Sequence, residues 1–125
     1  MDINDISGAI VDSAVKVHRA LGPGLLESAY QGCLVYELHK RGHKVEAQKV
    51  LPVWYDGVKI DVGYRLDLLV DDAVIVELKA VSELEPIHEA QILTYLKLSG
   101  KKLGLLMNFN VPLMKEGIKR MANKL

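Results

Sequence analysis

Three residues in one short stretch of this chain, Asp67, Glu77 and Lys79, could do metal and proton chemistry together if folding brings them to one wall. Whether it does depends on how Tyr64–Lys79 pairs as a hairpin. A two-residue turn at Asp71-Asp72 sets Asp67 against Val76 and Leu66 against Glu77, which mixes charge with aliphatic side chains on both faces. A three-residue turn, Asp71–Ala73, sets Leu66 against Leu78, Leu68 against Val76 and Val70 against Val74. One face is then wholly aliphatic. The other carries Leu69 opposite Ile75, Asp67 opposite Glu77, and Arg65 opposite Lys79. Register follows the hydrophobic pattern, so the second pairing is predicted. Two carboxylates side by side repel unless a cation or a shared proton lies between them. Oxygen ligands of this kind suit Mg²⁺ or Mn²⁺, and a lysine two residues beyond can position a water or offset charge on a phosphate. The alternative is a salt-bridged Asp/Glu/Lys/Arg cluster on a solvated face, but the apolar flanks favour a face covered by a helix.

Gln91 and Tyr95 are four residues apart after Pro86, so they share a helix face, with His88 close to it. An amide and a phenol there can orient the lysine, a water or a phosphate, or serve as an ordinary half-buried helix surface. Glu27 opens another helix. It either offsets the helix dipole or projects onto the sheet wall as a third carboxylate, with Tyr30 beside it.

The elements that must hold these groups follow from the patterning. Ile3, Ile6, Ile10, Ala14, Val17 and Leu21 form one helical stripe over about 3–21, ended by Gly22-Pro23-Gly24. A second helix is predicted over about 25–41. Alternation from Val45 to Tyr55 predicts a strand, Asp56-Gly57 a tight turn, and two further strands cover about 58–70 and 74–80. A helix over His88–Leu98 and an apolar strand over Leu103–Asn108 follow, and 111–125 reads as a short helix or as a strand around Gly117–Met121. This order predicts a single α/β domain over residues 1–125: a helix, a three-stranded antiparallel meander, a helix and a further strand, with an extra N-terminal helix.

The 125 residues carry 16 basic and 16 acidic side chains, for a formal charge of zero. That excludes tail-driven, non-specific nucleic-acid binding but not an enzyme with a local basic rim. Residues 101–125 hold six basic side chains and one acid, Glu116. Lys40, Arg41, His43 and Lys44 form a second basic cluster. Both are either solvated ends or phosphate-contacting surface. One cysteine, Cys33, excludes an internal disulfide framework and cysteine-rich zinc modules. No apolar run has the length of a membrane span, and the acidic N-terminus is unlike a signal peptide, so the expected location is the cytoplasm.

Gly24-x-x-Glu27-x-x-Tyr30 resembles the signature of the GxxExxY family of the PD-(D/E)XK nuclease superfamily. Asp67 with Glu77-x-Lys79 is similar to the superfamily's central motif, and Gln91-x-x-x-Tyr95 to the QxxxY motif of its exonuclease-like branches. Leu66 stands where the superfamily's name puts a proline. The resemblance extends over nearly the whole chain and implies a restriction-endonuclease-like core and phosphodiester hydrolysis of nucleic acid, DNA first. It also implies Glu27, Asp67, Glu77 and the Leu78 carbonyl as ligands for Mg²⁺ or Mn²⁺, and Lys79 as the catalytic lysine. Gln91, Tyr95, Tyr30 and His88 would support the site. A homodimer is compatible with the pattern. So is a binding module for nucleic acid or protein that keeps the nuclease fold with weak catalysis.

Overall fold

A computed structural model describes residues 2–124. In chain order the elements are α1 (Ile3–Leu21), α2 (Glu27–Lys40), β1 (Val45–Val50), β2 (Val53–Tyr55), β3 (Val58–Ile60), β4 (Arg65–Val70), β5 (Val74–Lys79), α3 (Pro86–Ser99), β6 (Leu103–Asn108) and β7 (Ile118–Ala122). A 3-10 turn, Met114–Gly117, precedes β7. Five strands form one mixed sheet in the order β1-β4-β5-β6-β7, and β2 and β3 form a separate ribbon. Strands β1, β4 and β5 are antiparallel neighbours, which is the expected meander, and β6 lies parallel to β5 after the α3 crossover. Of the two options for the C-terminal segment, the strand forms, antiparallel to β6. Among the described residues, no helix is long and apolar enough to cross a membrane.

Helices cover both faces of the sheet. Ile6, Ile10, Ala14 and Val17 of α1 and Tyr30, Leu34 and Leu38 of α2 pack on Leu68, Val70, Val74, Val76 and Leu78. On the other face, Ile92, Tyr95 and Leu96 of α3 pack on Leu66, Leu69, Ile75 and Leu106. Strand β6 is buried along its whole length, as its apolar run requires between two neighbours.

The strands expected over 45–55 and 58–70 are each divided. Pro52 has no N–H to donate to a ladder, so β1 ends at Val50 and the chain leaves the sheet. The ribbon returns through a bend at Gly63, and the Leu51 N–H closes on the Tyr64 carbonyl at 2.8 Å. Residues 51–64 are therefore an excursion from the meander. Asp56-Gly57 forms its tip, both at positive φ as a type I′ turn demands.

The turn between α1 and α2 fixes where α2 begins. Gly24 sits at φ +98°, in the region open mainly to glycine. The Tyr30 hydroxyl reaches back to donate to the Gly22 carbonyl at 2.6 Å and accepts from the Leu25 N–H at 3.1 Å. Its ring, fully buried, stacks on Phe109 at 4.5 Å between centroids. Tyr30→Phe keeps the stacking and takes the hydroxyl from the half-buried Gly22 carbonyl and the Leu25 N–H. The expected loss is about 1–3 kcal/mol in urea unfolding, with faster amide exchange over 22–30.

Candidate functional site

The hairpin of β4 and β5 has the aliphatic register expected of it. Val70 pairs with Val74, Leu69 with Ile75 and Leu68 with Val76, around a turn at Asp71–Ala73. The ladder then stops. Neither Asp67 with Glu77, Leu66 with Leu78, nor Arg65 with Lys79 forms a backbone pair, contrary to the regular continuation drawn from the sequence. The carboxylates themselves take over. Oε2 of Glu77 accepts from the Asp67 N–H at 2.7 Å, and Oδ2 of Asp67 accepts from the Leu78 N–H at 2.8 Å.

This exchange reaches into the neighbouring strand. Ladder parity would turn the Asp67 N–H toward β1; instead it turns to Glu77. The β1 register accordingly skips Gln48 while pairing on both sides of it, Ala47 with Leu68 and Lys49 with Leu66. Gln48 adopts φ +53°, a left-handed conformation that costs a non-glycine residue on the order of 1 kcal/mol. Its carbonyl is taken by the Arg65 guanidinium at 3.3 Å. Side-chain alternation also fails here. Leu66 joins the α3 side with Leu69 and Ile75, not the face of Leu68, Val76 and Leu78 where strict alternation puts it.

The result is a gap between β4 and β5 lined by two carboxylates. Glu77 is 5% exposed. Burial first, then the charge of Asp67, pushes its carboxyl up to about 8; Glu27 adds to the rise at longer range, and the Asp67 N–H and Lys79 oppose it. Tyr95 is buried on the α3 side, in the cluster with Leu66, Leu69 and Ile75. Its hydroxyl is held above its ordinary value by burial and by the charge of Glu77. Lys79, half-buried at the end of β5, has no ion-pair partner among the described residues.

The other expected site residues divide into two groups. Glu27 is exposed as the first residue of α2, and among the described residues no set of three His, Cys, Asp or Glu side chains lies together as a metal cage. Gln91 is half-buried on α3, one turn before Tyr95. Leu78 offers its N–H to Asp67, and within a strand the carbonyl of the same residue points to the same side, into the gap. Tyr30 and His88 have structural tasks. Tyr30 secures the α1–α2 turn, and His88 caps α3, its Nδ1 accepting from the Glu85 N–H at 3.0 Å.

Two residues that shape the site are absent from the sequence-based set. Gln48 donates to Gln31 of α2 at 2.9 Å and reaches toward Asp67 Oδ1 at a marginal 3.5 Å. Asn108, 2% exposed and opposite Lys79 in the β5–β6 ladder, holds Val81 through both its amide groups at 2.9 and 3.1 Å. With the Phe109 N–H on the Lys79 carbonyl at 2.9 Å, this pins the chain on the far side of the lysine. A break in alternation at Gln48-Lys49 is the only sequence signal for the first; none marks the second.

A divalent cation fits these donors. Glu77 Oε1 has no hydrogen-bond partner among the described residues, and a buried acid raised by a neighbouring acid is relieved by positive charge between them. Mg²⁺ and Mn²⁺ take one or two carboxylates and keep several waters, so a two-carboxylate wall suffices. The pH dependence follows from the raised value. Glu77 takes up a proton on folding, so its contribution in metal-free protein is complete below about pH 4.5 and is lost as pH rises through about 8. Urea unfolding in EDTA is expected to show stability falling across that window, at up to about 1.4 kcal/mol per pH unit. Millimolar Mg²⁺ or Mn²⁺ flattens the fall, and Glu77→Gln abolishes most of both effects.

A family model described as the PD-(D/E)XK nuclease superfamily matches residues 4–121. No curated protein and no solved structure matches the chain.

Proposed function

The chain belongs to the PD-(D/E)XK nuclease superfamily, and from that membership we propose that it is a metal-dependent phosphodiesterase that cleaves DNA. Nucleases of the superfamily are generally dependent on a divalent metal, and the substrate class is nucleic acid. The finer assignments, to the GxxExxY family, to DNA and to Mg²⁺ or Mn²⁺, are our own. The observation that supports metal chemistry is the gap between β4 and β5, where Asp67 and Glu77 cross-bond to backbone N–H groups beside Lys79, which has no ion-pair partner among the described residues.

In this reading Asp67, Glu77 and the Leu78 carbonyl hold the cation, and Glu27 stands at the rim of the same wall. A bound Mg²⁺ or Mn²⁺ supplies Lewis acidity toward the phosphate and makes a nearby water more acidic. The chain's own groups do the rest. The backbone bonds hold both carboxylates in place before any ligand arrives, so little reorganisation is needed. Lys79 brings an ammonium, which offsets charge on the scissile phosphate or orients the attacking water. Tyr95 and Gln91 close the α3 side and limit the water that reaches Glu77.

The test is cleavage of plasmid and single-stranded DNA with and without Mg²⁺ or Mn²⁺. Lys79→Ala is expected to fold normally, to bind the metal, since a cation repels a cation, and to lose activity by a factor of about 100 or more. Asp67→Asn is expected to lose metal binding and activity together. Unchanged cleavage by purified Lys79→Ala protein refutes the mechanism. A wild-type protein that binds DNA but cleaves no DNA or RNA with either metal is a binding module on a nuclease fold.

A further inference from the structure

The β2–β3 ribbon leaves the sheet beside the carboxylate wall, and it carries the chain's single tryptophan into solvent. Trp54 is 59% exposed, on a face that neither core uses. It pairs with Lys59 across the ribbon, so the indole and an ammonium share one face. Trp54 forms one wall of a cavity of about 240 Å³, whose floor is Leu51, Leu66 and Leu69 and whose rim carries Lys49, Lys101 and the Asp72 carboxylate.

We infer that this cavity takes an unpaired base of a single-stranded nucleic acid, stacked on Trp54, while the flanking phosphates lie on the lysine rim. The inference rests on the nuclease reading of the Asp67–Glu77 site and names the form of substrate that site receives.

Three observations carry it. First, cavity and site are neighbours along β4. Leu66 in the floor directly precedes Asp67, so their Cα atoms are about 3.8 Å apart. Tyr64, where the ribbon rejoins the sheet, lies 6.2 Å between ring centroids from Tyr95, the buried phenol of α3 that feels the charge of Glu77. A strand whose phosphate is at the carboxylates can therefore reach the cavity with a neighbouring nucleotide. Second, the lining suits a base. A flat indole above an aliphatic floor offers stacking and apolar contact without sequence preference, as single-strand binding surfaces do. The volume is below the ~300–1,000 Å³ of drug-sized ligand sites, so it suits one ring system rather than a duplex. Third, the rim cations can be transferred to phosphate. Lys49 pairs with the half-buried Glu46 at 2.7 Å, and the half-buried Lys101 with the exposed Asp72 at 3.1 Å, so each pair has one partner open to solvent. Ion pairs open to solvent contribute little to stability, so exchanging the exposed Asp72 carboxylate for a phosphate costs little.

The single tryptophan provides the measurement. In EDTA, where hydrolysis is off, a short single-stranded DNA is expected to quench Trp54 fluorescence, and a blunt duplex of the same sequence to quench it far less. Trp54→Ala, read by fluorescence anisotropy of labelled DNA, is expected to weaken single-strand binding about tenfold and Trp54→Phe only slightly. Tyr36→Ala, on the exposed side of α2, is expected to leave it unchanged. Equal quenching by duplex, or unchanged affinity in Trp54→Ala, overturns the inference. So does a Trp54-dependent dimer in sedimentation, which makes this face an interface between copies of the chain. The nuclease reading fails separately. Quenching without any metal-dependent cleavage removes the chemistry and keeps the base site, whereas cleavage with an unchanged KM for single strands in Trp54→Ala removes the base site and keeps the chemistry.

Discussion

Between Asp67 and Glu77 the hydrogen bonds that should belong to a β-ladder belong to carboxylates. Each acid accepts a backbone N–H from the opposite strand, at 2.7 and 2.8 Å. Strands β4 and β5 can therefore separate in the interior without stranding donors that burial would make costly. The left-handed Gln48, the displaced Leu66 and the opening toward α3 all follow from that substitution. So does the electrostatic tension, because the acids that repair the backbone cannot both be ionised there comfortably without a cation.

The surrounding structure keeps that tension from being relieved by collapse. Leu68, Val70, Val74 and Val76 hold the closed half of the hairpin between α1, α2 and the sheet, while Ile92 and Leu96 press Ile75 and Leu69 from the other side. The parallel ladder with β6 runs unbroken from Val74 to Lys79, so β5 keeps a straight partner where β4 leaves it. Gly117 adds a close contact at the end of β6. A Cβ there would stand 2.1 Å from the Asn108 carbonyl, so only glycine lets the chain pass so near the residue that secures the loop beyond Lys79.

Much of this was legible in the residues, and what was not has a physical reason. The aliphatic register at Leu68–Val76 and the turn at Asp71–Ala73 could be read because one-residue slips expose a whole face. The break at Asp67 could not, since it comes from side-chain acceptors competing with backbone ones, which no apolar periodicity records. Pro52 announced a boundary that the alternation around it concealed. Tyr30 and His88 looked like site residues because helical spacing places side chains on a face without saying what lies opposite. Opposite Tyr30 was the carbonyl of Gly22, and opposite His88 the helix's own N-terminus. Asn108 was invisible because its role depends on a parallel neighbour brought in by α3.

The excursion from Leu51 to Tyr64 gives the fold a place to vary. Its own ladder, Val53 with Ile60 through Tyr55 with Val58, is separate from the five-stranded sheet. The register of β1 on β4 is held from Val45 to Val50 without it. Lengthening the ribbon at Asp56-Gly57 therefore shifts no residue of the sheet, and each doubling of a loop costs only about 0.6 kcal/mol in closure entropy. Descendants of this chain can thus change the surface beside Asp67 while Asp67, Glu77 and Lys79 stay where they are, so that the ribbon and the carboxylate wall can evolve as separate segments.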